Sequence, residues 1–237
     1  MADAEDTSCA PEVKPAETSY VIGIDFGTTY SGVAWCWSGQ PDNIHLVTRW
    51  KTKLNLTHDN AKVPTEIYYD PSDGNTFWGY DIPPDKEPIR WFKLLLADES
   101  DLSPDLRKSA KLWMASEHVK ESKKTTGHVI ADYLRLLWTH TVADIVKDRG
   151  EAAFNLATLK VWITVPAIWK KDACQRMRGA AKAAGILDFR AAGETTLDLV
   201  AEPEAAAMAV LDDFQGRPDI QVCPHSTLGF FISTNMS

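Results

Sequence analysis

One carboxylate, two glycines and two threonine hydroxyls stand within eight consecutive residues, Gly23-Ile24-Asp25-Phe26-Gly27-Thr28-Thr29-Tyr30. Residues 21–26 are short, apolar and rich in β-formers, which places Asp25 near the end of a buried strand, with residues 27–30 turning out of it. Each part suits a phosphate. Gly27 lets backbone approach an anion without a side chain in the way, successive amides of such a turn can form a nest of donors, and Thr28 and Thr29 add hydroxyls. Asp25 suits a hydrated Mg²⁺, which keeps most of its waters and takes only one or two carboxylates beside phosphate oxygens. The same residues also read as a plain β-hairpin in which Gly27 serves geometry and the threonines serve β propensity.

Two further segments put a special residue where a strand hands over to a helix. In Val161-Trp162-Ile163-Thr164-Val165-Pro166-Ala167-Ile168-Trp169 the strand is stopped by Pro166. In Leu199-Val200-Ala201-Glu202-Pro203-Glu204-Ala205-Ala206-Ala207-Met208-Ala209 a strand ends at Glu202, and Pro203 fixes the first helical turn. Glu202 thus stands at the carboxyl end of its strand, where ligands of open α/β sheets lie; its plainer role is an acid favoured by the helix dipole.

The elements that must position these residues follow from periodicity. Strands are expected at 21–26, 31–37 and 44–48 as a meander, with a hairpin of 66–69 and 76–78 around the turn-forming run 70–75. A helix opens at Ser103-Pro104 with Leu106, Ala110, Trp113, Met114 and Glu117 on one stripe. A longer one covers 127–149, with Ile130, Tyr133, Leu134, Leu137, Thr141 and Ile145 at helical spacing. A strand at 159–165 follows, then a helix over 170–184 capped by Gly185, a strand at 197–201 and an alanine-rich helix through Leu211. The order predicts an α/β domain, a mixed sheet flanked by helices.

In this order the three motif segments resemble the 70-kDa heat-shock chaperone family of the actin-like ATPase superfamily: its phosphate hairpin, its V-x-V-P-A segment and its E-P-x-A-A-A segment. The resemblance runs over about residues 20–213, and the Trp-rich text, with Trp78-Gly79-Tyr80 and Arg90-Trp91-Phe92-Lys93, is similar to the divergent fungal and 12-type branch. It implies a ribonuclease H-like, actin-like ATPase lobe with a small inserted subdomain at about 50–126. It also implies ATP or ADP and Mg²⁺ as ligands, and client proteins or co-chaperones as partners. Asp25 then faces the hydrated metal, Gly27, Thr28, Thr29 and Tyr30 wrap the phosphates, and Glu202 orders the metal's waters. Pro166 marks the loop that couples nucleotide state to interlobe motion. Lys93 is the candidate for the family's catalytic lysine, which stabilises charge on the transferring phosphoryl group, although a solvated lysine beside a core stripe fits the local text as well. Cys174 stands where an ungapped reading from Pro166 puts the family's coupling arginine.

The superfamily's second phosphate loop, D-x-G-G-G-T, has no counterpart, since the 13 glycines include no Gly-Gly pair. It is expected near residues 222–226, in a 214–237 tail without sustained period. The expectation is therefore one lobe of a truncated chaperone-like ATPase, with weakened ATP binding and hydrolysis. Two alternatives are a non-catalytic interaction protein, a pseudo-ATPase using a Trp-rich surface, and a sugar- or polyol-kinase-like fragment.

Composition bounds these readings. The 237 residues are 44% hydrophobic and 24% charged, enough for a buried core. The net charge of -8 disfavours nucleic acid or an anionic membrane as the main partner. Residues 1–19 hold five acids and one base and read as a disordered leader rather than a signal peptide. The four cysteines show no metal or C-x-x-C spacing, which fits a cytoplasmic location.

Overall fold

The computed structural model describes residues 18–52 and 57–206. The acidic leader up to residue 17, the alanine-rich helix beyond residue 206 and the 214–237 tail lie outside the described residues.

The chain opens with the expected meander, β1 (Ser19–Phe26), β2 (Tyr30–Trp37) and β3 (Gln40–Leu46). Two short strands, β4 (Trp50–Lys51) and β5 (Thr57–His58), pair with each other, and β6 (Lys62–Pro64) returns to pair with the start of β2. The expected hairpin follows as β7 (Ile67–Tyr69) and β8 (Thr76–Trp78). Helices α1 (Pro104–Arg107), α2 (Ala110–Glu121), α3 (Thr126–Arg149) and α4 (Glu151–Leu156) come next, then β9 (Thr158–Val165), α5 (Lys171–Ala183) and β10 (Thr196–Ala201). The main sheet runs β10-β9-β1-β2-β3 with β6 also on β2. β9 is parallel to both β1 and β10, while β2 is antiparallel to β1. This is a mixed sheet flanked by helices, as the order of elements predicts.

Alternation fixes which face is covered. Tyr20, Ile22, Ile24 and Phe26 of β1 are buried, as are Val33 and Trp35 of β2 and Leu159, Val161, Ile163 and Val165 of β9. Against this face packs α3, whose buried residues include all six of the expected stripe. The Tyr133 ring lies 5.9 Å from Phe26 and 5.7 Å from both Phe92 and Trp78, so one aromatic joins helix, sheet and hairpin. The other face carries Gly23, Asp25, Trp162 and Thr164, none of them buried. Asp25 and Thr164 are thereby kept off the apolar face.

The helix expected from Ser103 departs from its reading. Ser103 does cap α1, but that helix ends at Arg107, and Ser109 caps a second helix by accepting from the Leu112 amide at 3.2 Å. The break rotates the stripe: Ala115 and Val119 are buried, whereas Trp113 is 66% exposed. The short α4 was not anticipated, and β3 starts at Gln40 rather than near Ile44.

Asp132 of α3 ties the β7–β8 hairpin to the helical layer. It accepts hydrogen bonds from Tyr69 Oη at 3.0 Å and Arg135 Nη1 at 2.7 Å, and pairs with Lys124 Nζ at 3.0 Å. Burial alone would raise this carboxyl, but hydrogen bonds from Lys124, Arg135 and Tyr69 outweigh it and hold it below the usual carboxylate range. A folded-state value below the unfolded one stabilises above the unfolded value and is lost as pH falls through the folded one. Asp132→Asn is therefore expected to cost about 1–2 kcal/mol at neutral pH. Chemical denaturation should show that difference shrinking as pH falls below about 4 and disappearing only below the lower folded-state value; a difference constant with pH would exclude the ionic role.

Candidate functional site: the carboxyl edge of the sheet

Three parallel strands finish side by side. β1 ends at Phe26, β9 at Val165 and β10 at Ala201, with Ile24 opposite Ile163 and Ala201 opposite Val165. Their carboxyl ends form the edge where open α/β sheets receive ligands.

Asp25 sits on the open face of this edge. The register that sets Ile24 opposite Ile163 brings Thr164 alongside, and its Oγ1 donates to Asp25 Oδ1 at 2.9 Å. The second carboxylate oxygen accepts from Lys62 Nζ at 2.7 Å. Asp25 is also opposite Gly32 of β2, and Gly32 is opposite Lys62 of β6. Thr164, Asp25, Gly32 and Lys62 thus form a row across four strands.

The turn after β1 is shaped by a missing side chain. A Cβ on Gly27 would stand 2.1 Å from the Tyr30 carbonyl oxygen, so only glycine admits the closure from residue 27 to 30. Thr28 is half-buried, and Thr29 and Tyr30 are exposed. The hairpin is fastened from behind by the Thr65 amide, which donates to the Thr29 carbonyl at 2.9 Å, and by a buried Ser31–Thr65 hydroxyl pair at 2.8 Å.

Lys93 lies beneath this turn. It belongs to a 3₁₀ segment, Phe92–Leu96, entered through Trp91 at φ 56° and ψ 12°. That left-handed backbone costs a non-glycine residue about 1–2 kcal/mol, and strain of this kind gathers where geometry must be held. Lys93 is not the solvated lysine that its local text allowed: its side chain is 1% exposed. The ammonium donates to the Phe26 carbonyl and, at 2.7 Å, to Glu202 Oε1. It also lies 5.5 Å from the Phe26 ring centre and 5.7 Å from that of Trp169. Burial pushes it below the usual lysine range, opposed by Glu202 and Asp25.

Glu202 opens the helical residues 202–206 just past β10, and its side chain is 44% exposed. The edge therefore joins residues from three segments far apart in the chain: Asp25 and the turn, Lys93, and Glu202. Sequence reasoning gave three contributors no individual role. Lys62 and Thr164 hold Asp25, and Trp169 follows a turn in which its amide donates to the Pro166 carbonyl at 3.0 Å. Cys174, half-buried on α5, is a free thiol. A groove of about 590 Å³ between residues 95–98, the start of α3 and α5 includes none of the edge residues. Among the described residues no three or more His, Cys, Asp or Glu side chains converge as a metal cluster, and no helix is long and apolar enough to cross a membrane.

The mixed sheet flanked by helices is consistent with one class, a nucleotide-binding lobe of the actin-like ATPase type. No family model matches the chain. It is 31% identical over 200 residues to heat shock 70 kDa protein 12A of Homo sapiens, covering 79% of this chain and 28% of that protein. Against heat shock 70 kDa protein 12B of Homo sapiens it is 30% identical over 214 residues, or 84% and 29% of the two lengths. A chaperone protein HscA homolog of Acinetobacter baumannii is 28% identical over 204 residues, 82% and 28%. The chain thus spans less than a third of the length of these relatives. The matched residues are an actin-like ATPase-type domain of the 70-kDa heat-shock protein family.

Proposed function

We propose that the carboxyl edge of the sheet is the phosphate- and metal-facing wall of an ATP/ADP site, and that Lys93 stabilises the phosphoryl group during hydrolysis. The observation that carries this reading is the buried Lys93 ammonium, held between the Phe26 carbonyl and Glu202 directly under the glycine turn. A buried cation aimed at a turn with free hydroxyls suits developing phosphoryl charge; among the described residues, the Thr28 and Thr29 hydroxyls are engaged by no other side chain.

The donor set also fits Mg²⁺. Asp25 offers one carboxylate fixed by Thr164 and Glu202 a second, as many as a hydrated magnesium ion takes from protein. When bound, the metal would neutralise phosphate charge. Asp25 and Glu202 hold its waters in this reading, Gly27, Thr28, Thr29 and Tyr30 contact phosphates, and Lys93 contributes the fixed positive charge. Residues 20–213 then form lobe I, with 50–126 as its small inserted subdomain, and a cytoplasmic chaperone cycle with client proteins or co-chaperones follows by kinship. An interaction role resting on a tryptophan surface has little support, because of the nine tryptophans only Trp113 is exposed.

Thermal unfolding tests the reading. Ligand at ten times its dissociation constant stabilises by about 1.4 kcal/mol, which raises Tm by about 3–5 °C for a domain of this size. Millimolar Mg·ATP or Mg·ADP is expected to give that rise and AMP none; equal curves with and without Mg·ATP would overturn it.

A further inference from the structure

We infer that Lys62 is a built-in competitor for the metal at Asp25, occupying the carboxylate oxygen that a hydrated divalent cation would take and leaving it when the ion arrives. The inference rests on the proposed role of Asp25 as the metal-facing carboxylate.

The geometry is specific. Thr164 donates to Asp25 Oδ1 at 2.9 Å and so fixes the carboxylate plane, while the Lys62 ammonium takes Oδ2 at 2.7 Å. Lys62 is two strands from Asp25, a backbone separation of about 9–10 Å, and the strand between offers Gly32 at the shared register position. A Cβ there would lie 3.2 Å from Lys62 Cγ and 3.8 Å from its Cε, so the absent side chain is what lets the lysine stem lie across β2.

The backbone of Lys62 is anchored and its head is not. Its carbonyl accepts from Tyr80 Oη at 3.2 Å, and β6 is paired with β2. The side chain is 54% exposed and that of Asp25 41% exposed, so water can solvate both ends once they part. A lysine ammonium is a compact point charge on a flexible four-carbon stem, and a half-exposed ion pair is weak enough for a divalent ion to displace. Lys93, by contrast, is buried and directed at Phe26 and Glu202, so the two lysines divide the work. One stays fixed beneath the turn, and the other yields the outer face of Asp25. In this arrangement the empty carboxylate is never unpaired, and metal binding releases a positive charge beside the phosphates.

Titrating the full chain with Mn²⁺ alone, followed by water-proton relaxation, tests this directly. Lys62→Met should tighten Mn²⁺ binding about twofold to fivefold, the factor carried by an exposed ion pair, and Lys62→Arg, which keeps the charge, should not. Adding Asp25→Asn to Lys62→Met should abolish the gain. Equal Mn²⁺ affinity in wild type and a folded Lys62→Met variant, or an equal gain in Lys62→Arg, overturns the inference. The outcomes separate from those of the nucleotide reading. A Lys62→Met gain without any Mg·ATP effect on Tm keeps the competitor and removes the ATP site, whereas a Tm rise with unchanged Mn²⁺ affinity does the reverse.

Discussion

Lys93→Met is expected to lower single-turnover ATP hydrolysis by about a hundredfold or more while changing the stability of the fold by no more than about 1–2 kcal/mol. The two halves of this expectation come from different sides of the same ion pair. Methionine is unbranched and of similar length, so the space beside Phe26 and Trp169 stays filled. What disappears is the charge. Losing one partner of a fully buried pair costs about 3–5 kcal/mol because the other is stranded, but Glu202 is 44% exposed and can be resolvated. Only the Phe26 carbonyl loses a donor in a buried place. Desolvation of the ammonium, the larger influence on Lys93, is relieved at the same time. A lysine whose role was structural would give the opposite outcome, a large loss of Tm with turnover falling only through unfolding. A pH series adds a second check. The folded-state value of Lys93 lies below the unfolded one, so its burial cost is present at neutral pH and is relieved as pH rises toward the usual lysine value. Wild type should therefore gain stability over Lys93→Met on the alkaline side; a gain on the acid side would contradict the burial argument.

The sequence carried the elements that long periodic runs define, and it singled out the candidate residues that sit in motifs. The stripe of α3 is legible because 24 residues repeat one spacing, and α5 because Ala173, Met177, Ala180 and Ala181 do the same before Gly185 at φ 86°. Asp25, Gly27 and Glu202 were legible because strand-to-turn and strand-to-helix junctions have composition of their own. Lys62 was not, since its place at Asp25 depends on a three-residue strand joining β2 in one register with a glycine between, which no local pattern encodes. Thr164 needed the β1–β9 register in the same way. The burial of Lys93 is a tertiary fact: Trp91 turns left-handed and brings the lysine inward, where its neighbours in sequence allowed a solvated position equally well. Trp113 failed for a readable reason. Ser109 is a second N-cap, and extending one helical period across it placed the ring on the wrong face.

The two glycines of the Gly23-Ile24-Asp25-Phe26-Gly27 run separate the demands of the hairpin from those of strand propensity, and they should respond to alanine in opposite ways. At Gly23 an added Cβ meets only the Ala34 carbonyl oxygen, at 4.0 Å, an ordinary contact on the open face. Alanine there restricts the unfolded chain and should be neutral or stabilising by about 0.5–1 kcal/mol. At Gly27 the new atom would stand 2.1 Å from the Tyr30 carbonyl oxygen and 3.3 Å from its carbon, both backbone atoms. Backbone cannot swing aside as a side-chain tip can, and this piece of it is held from several directions. Tyr30 is paired with Pro64, the Thr65 amide donates to the Thr29 carbonyl, and the Pro64 carbonyl accepts from Tyr133 Oη at 3.1 Å. Opening the turn must disturb that cluster and shift the Phe26 carbonyl away from Lys93. The expected cost of Gly27→Ala is about 2–3 kcal/mol, a fall in Tm of about 4–12 °C, together with loss of any rise given by Mg·ATP. Calorimetry of the two variants side by side decides it: equal Tm values would mean that the turn relaxes freely, and a retained Mg·ATP response in Gly27→Ala would mean that phosphates do not depend on its closure.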